Sequence, residues 1–122
     1  ADLRAVMKAV TKYSDNTGGG SNTASYVTST TDYLFELAEF EYHGARTYAN
    51  SAEQNYQQQY AYYQAGNSKI HYKHNATGTA AIVACRSVCA TYSNTFCLLN
   101  INGTAVSTNA HYSWGVAPGF AA

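Results

Sequence analysis

Residues 1–16 read Ala1-Asp2-Leu3-Arg4-Ala5-Val6-Met7-Lys8-Ala9-Val10-Thr11-Lys12-Tyr13-Ser14-Asp15-Asn16. Leu3, Val6, Met7, Val10 and Tyr13 fall at the spacing that places apolar side chains on one face of a helix. Asp2, Arg4, Lys8 and Lys12 occupy the opposite face, with the acid near the N-terminal end and a base near the C-terminal end, as the helix dipole favours. The helix is expected to stop at Ser14-Asp15-Asn16-Thr17 and the run Gly18-Gly19-Gly20. An amphipathic helix needs a surface to lie on. The second half of the chain is expected to supply one as a sheet, with Leu3, Val6, Met7 and Val10 packed against it.

The bulk composition narrows the classes. At 122 residues the chain fits one domain with a modest core. Only 11% of residues are charged and acids balance bases, which argues against nucleic acid as the main partner. Asp32, Glu36, Glu39 and Glu41 form an acidic segment, and Lys69, His71, Lys73 and His74 a basic one. These read as solvated faces or as complementary patches on neighbouring subunits. No apolar run is long enough to span a membrane. The chain starts without an initiator Met or a signal peptide, so we expect a processed chain or a segment of a longer protein. Low charge, twelve tyrosines and abundant Asn, Ser, Thr and Gln suit a secreted or cell-surface protein. Asn75-Ala76-Thr77 and Asn102-Gly103-Thr104 match the glycosylation acceptor pattern. Cys85, Cys89 and Cys97 lie close together, and in an oxidising compartment two would pair: Cys89 with Cys97, or Cys85 with Cys97.

Beyond the first helix, residues 17–31 read as an ordered loop anchored by Tyr26 and Val27. Residues 32–65 look helical, with Asp32 as cap and a stripe through Leu34, Ala38, Ala45, Ala49, Ala52, Tyr56, Tyr60 and Tyr63, interrupted at Gly44. This stripe is a helix docked on its own domain or a contact surface. Tyr56, Tyr60 and Tyr63 are candidates for subunit or ligand contact. From residue 66 the period changes to two. Lys69–Lys73, Thr79–Cys85, Phe96–Ile101 and Thr104–Thr108 read as four antiparallel strands. Asn102-Gly103 calls for a type I′ hairpin between the last two. The tail, residues 111–122, holds Trp114 and Pro118 and should cover a sheet edge or groove.

No catalytic motif is evident. His71 and His74 with the cysteines suggest zinc ligands, but residues three apart on a strand point to opposite faces and the cysteine spacing is not a zinc knuckle. Gly18-Gly19-Gly20-Ser21 lacks the lysine and the preceding strand of a phosphate loop. Glu36, Glu39 and Glu41 fit an exposed helical face better than an acid/base pair. No serine or cysteine has an evident histidine partner. The expectation is a non-enzymatic protein without metal or cofactor.

The opening Ala1-Asp2-Leu3-Arg4, the apolar steps after it, and Tyr13-Ser14-Asp15-Asn16 resemble the second half of the N-terminal helix of type IV pilins and type II secretion pseudopilins. The resemblance covers about sixteen residues. The order helix, variable connecting region, four-stranded sheet and late cysteines resembles that family too. It implies an α+β fold in one domain: residues 1–16 a helix, 17–66 a loop and helical insert, 67–122 an antiparallel sheet and tail. It implies a structural subunit of an extracellular pilus or pseudopilus that assembles with like subunits, in a bacterial filament or periplasm. A membrane would be met only through an upstream helix outside this sequence. The alternative class is a secreted or cell-surface binding module or adhesin that uses the tyrosine-rich segment. A small metal-dependent enzyme is the third.

Overall fold

The computed structural model describes residues 2–122. Its elements are mostly short antiparallel strands. The N-terminal segment is not a helix. Leu3–Ala5 make one 3₁₀ turn, capped by the Asp2 carboxylate, which accepts from the Arg4 N–H at 3.0 Å. The chain then extends into β1, Val10–Asp15, which pairs antiparallel with β2, Val27–Asp32, from Val10↔Asp32 to Asp15↔Val27. The two strands pair because both are rich in β-branched residues: Val10 and Thr11 in one, and Val27, Thr28, Thr30 and Thr31 in the other. The expected packing of Leu3, Val6, Met7 and Val10 on a sheet is therefore corrected. Leu3 and Val6 are half exposed (50% and 52%), Met7 and Val10 are partly covered, and Val10 belongs to a strand.

Residues 32–65 also depart from the expected long helix. They form β3 (Phe35–Glu36), the one-turn α1 (Glu39–His43), a 3₁₀ turn at Ser51–Asn55 and α2 (Ala61–Gln64). Helix α1 starts where the Glu41 carboxylate accepts the Ala38 N–H at 3.1 Å, and stops at Gly44 in the left-handed region (φ +67°). Beyond it, the Glu39 carboxylate accepts the N–H groups of Thr47, Tyr48 and Ala49, which wraps the backbone around a buried side chain in place of a helical ladder.

The expected four-stranded sheet divides in two. The hairpin β4 (His71–Lys73) and β5 (Ala76–Ala81) stands apart from the three-stranded sheet of β6 (Val83–Val88), β7 (Thr95–Leu99) and β8 (Ala105–Asn109), in the order β6-β7-β8. The Asn102-Gly103 turn joins β7 to β8, with a three-residue loop. The Gly103 N–H donates to the Asn100 carbonyl (2.9 Å), the Asn100 N–H to the Thr104 carbonyl (2.8 Å), and only Gly103 takes positive φ (+82°). A type I′ turn needs positive φ at both central residues. Here the Asn102 carboxamide instead accepts from the Thr104 hydroxyl at 2.6 Å and its N–H at 3.2 Å, which favours the bulged loop.

The core lies under the three-stranded sheet. Tyr42, Ala49, Val83, Cys85, Cys97 and Leu99 cluster there, with Leu37, Tyr48, Tyr63, Ala81 and Ala117 against them. Burying a side chain such as Leu99 stabilises by roughly 1.5–3 kcal/mol. The tail runs along the outer edge of β6: the Ala84 N–H donates to the Gly115 carbonyl at 3.0 Å and the Gly115 N–H to the Ile82 carbonyl at 2.8 Å. β9 (Pro118–Gly119) then pairs with β3, and Ala121 meets Lys8. Among the described residues no helix is long and apolar enough to cross a membrane.

Candidate binding groove

The strand β1 and the segment 54–64 form the walls of an open groove of about 750 Å³. Tyr13, on β1, stacks on Tyr56 at 4.3 Å between ring centroids and 10° between planes. This holds Tyr56 in place while leaving 55% of it exposed. Stacking of this kind is worth about 0.5–1.5 kcal/mol beyond simple burial. Tyr60 is fixed through its hydroxyl, 2.5 Å from Lys12 Nζ, and that ammonium also lies over the Phe35 ring at 4.4 Å. Apart from Thr11 and Ala61, the rest of the wall is amide: Gln54, Asn55, Gln57, Gln58, Gln59 and Gln64.

Buried charge holds the floor. The Glu41 side chain is 4% exposed. Its Oε1 accepts from Arg86 Nη2 at 2.8 Å and from Lys12 Nζ at 3.4 Å, and its Oε2 from Arg86 Nη1 at 3.3 Å. Arg86 also donates to the Glu36 and Tyr13 carbonyls. Beneath them, Glu53 accepts from the Asp15 N–H (2.8 Å), the Ser87 hydroxyl (2.7 Å) and Gln57 Nε2 (3.4 Å). Gln57 Nε2 donates as well to the Tyr13 carbonyl at 2.8 Å, so one side chain ties the groove wall to this network. Burial pushes the Glu53 carboxyl above the usual carboxylate range, and those three hydrogen bonds and Arg86 pull against it. Asp15 is closed off in the same region: its carboxylate accepts from the Thr17 N–H and hydroxyl, the Gly18 N–H and Asn50 Nδ2.

Of the three candidate tyrosines, Tyr56 and Tyr60 line one groove, whereas Tyr63 turns inward and packs on Tyr42 at 5.2 Å. Glu39 and Glu41, expected on an exposed helical face, are buried. Cys85, Cys89 and Cys97 are all buried and carry free thiols, so neither expected pairing is formed. Burial pushes the thiols of Cys85 and Cys97 up, which leaves them poor nucleophiles. No group of three or more His, Cys, Asp or Glu among the described residues could hold a metal ion. Lys12, Tyr13, Phe35 and Arg86 escape a reading of the sequence, because contacts across 23 to 73 positions bring them together at or behind the groove wall. The local signal that does exist is the uncharged run Gln57-Gln58-Gln59 between Tyr56 and Tyr60.

No known family model, curated protein or solved structure matches the chain.

Proposed function

We propose that the chain is a non-catalytic binding module, at a cell surface or outside the cell, whose groove holds a hydroxyl-rich ligand of the glycan class. The observation that carries this reading is the Tyr13–Tyr56 stack set in a wall of side-chain amides. A sugar ring offers an apolar C–H face and a rim of hydroxyls. The exposed ring of Tyr56 suits the first, and the exposed carboxamides of Gln54, Asn55, Gln58 and Gln64 suit the second. The stack and the Lys12–Tyr60 contact order the site before binding, which lowers the entropic cost of association. Glycoside hydrolysis calls for two carboxylates flanking the bond. Glu41 is the one carboxylate in the lining, and Arg86 and Lys12 occupy it.

A glycan array followed by calorimetry on the best ligand tests this. Tyr56→Ala should weaken binding about tenfold, equivalent to about 1.4 kcal/mol. A blank array, or affinity unchanged in Tyr56→Ala, sinks the reading.

A structural subunit that assembles with like copies, as in a pilus or pseudopilus, is the second reading. What favours it is exposed apolar surface: Leu3, Val6, Tyr33 and Leu34 are exposed, and the last two line a hollow of about 360 Å³ with Arg4 and Met7. Sedimentation over a concentration series tests it. Self-association abolished by Leu34→Lys supports it, and a monomer at every concentration contradicts it.

A further inference from the structure

The charges of this chain are divided along its length. All seven acids lie at or before Glu53; residues 54–122 carry Lys69, Lys73, Arg86 and three histidines. Glu41 occupies Arg86. No ion pair among the described residues involves Lys69, His71, Lys73 or His74. Three of these, His71, Lys73 and His74, sit on the β4–β5 hairpin, around a hollow of about 290 Å³.

The hollow is built from residues 71–75, Ala81, Val83 and the tail segment 115–117. Its polar side chains are Lys73, two imidazoles, the Tyr72 hydroxyl and the Asn75 carboxamide. Lys73, His74, the Tyr72 hydroxyl and the Asn75 carboxamide can each donate a hydrogen bond, and no carboxylate is present. A regular strand would send successive side chains to opposite faces. Here the register shifts between Tyr72 and Lys73, and His71 through Asn75 all line the same hollow. His71 is also fixed: its Nδ1 lies 2.9 Å from the Lys69 carbonyl, so that nitrogen is the donor, and its ring stands edge-on to Tyr42 at 5.8 Å. Two histidines without a third ligand make a poor metal site. Cations and donors without a counter-charge suit an oxyanion.

We propose that this hollow is an anion site that takes the carboxylate or phosphate group of a small ligand. Lys73 supplies the fixed charge. His74, the Tyr72 hydroxyl and the Asn75 carboxamide add hydrogen-bond donors beside it. The groups that face His71 are the Lys69 carbonyl and Tyr42 on α1. Lys69 holds its ammonium 6.0 Å from the Tyr63 ring, and β6 and the tail bring Val83 and residues 115–117, none of them titratable.

NMR titration of the full chain at constant ionic strength, following the His71 and His74 ring signals, tests the site with inorganic phosphate in one arm and acetate in the other. Saturable shifts at low millimolar anion are expected. A response to phosphate alone assigns a phosphate ligand, and a response to acetate alone or to both admits a carboxylate; each supports the site. The exposed positions Lys73 and His74 tolerate substitution, and Lys73→Gln with His74→Gln should weaken binding roughly tenfold without loss of fold. Lys73→Gln alone is the second variant. Absence of saturable shifts with either anion overturns the proposal, as does equal binding by the double variant.

Discussion

Replacing Arg86 with Met separates the charge network from the apolar packing around it. The guanidinium reaches Glu41 through two nitrogens, at 2.8 and 3.3 Å, and also donates to the carbonyls of Glu36 and Tyr13. Met fills similar space but leaves Glu41, 4% exposed, with Lys12 at 3.4 Å as its one cation. Removing one partner of a buried pair costs about 3–5 kcal/mol, chiefly because the other charge stays buried. A chain of this length is expected to hold roughly 6–18 kcal/mol in all, so the loss is a large share of it. The melting midpoint should fall by roughly 12–20 °C. Urea unfolding followed by circular dichroism, on Arg86→Met, Glu41→Gln and the double variant, measures the coupling. The double variant should lose less than the sum of the singles by at least about 1.5 kcal/mol. A loss under about 1 kcal/mol in Arg86→Met, or strict additivity, refutes the assignment of this pair as the anchor of the groove floor.

Val6→Asp should change stability by less than about 0.5 kcal/mol, because Val6 is half exposed; a helix packed on a sheet would be unfolded by a charge there, and thermal melts separate the two. Glu53 sets a pH dependence of opposite sign to a paired carboxylate. Its folded pKa is raised by burial, so ionised Glu53 costs stability above that pKa, and the cost disappears as pH falls toward the ordinary Glu value. The stability of the wild type relative to Glu53→Gln should therefore rise as pH falls through that window. Urea midpoints at stepped pH check this, and a constant difference contradicts it. Gly103→Ala should cost about 1 kcal/mol through its positive φ alone, measured by urea unfolding.

Local chemistry was legible where the structure is local. The Asn102-Gly103 pair marks its hairpin because the turn forms from residues within reach of one another, though the clamp from Thr104 to Asn102 changes the loop type. Glycine at the end of α1 acts as an interruption for the same reason. The N-terminal segment misleads because Leu3, Val6, Met7, Val10 and Tyr13 satisfy a helical period, while the competing partner, Val27–Asp32, lies beyond a glycine-rich loop. Pairing of two β-branched runs overrides a weak helical preference. The acidic segment misleads in the opposite direction. Glu39 and Glu41 look like solvated charge, yet each is buried and satisfied by backbone N–H groups or cations from other elements. The sequence groups Tyr56, Tyr60 and Tyr63 on one stripe; only Tyr56 and Tyr60 line the groove, and the residues that orient them arrive only with the tertiary structure.

The most direct measurement is an intermolecular NOE experiment on the chain with the glycan selected on the array. Contacts from the C–H protons of a sugar ring to the Tyr56 ring, with none to the inward-facing Tyr63, are the expected result. A bound glycan whose contacts fall on another surface, with Tyr56 silent, would contradict the groove as the binding site.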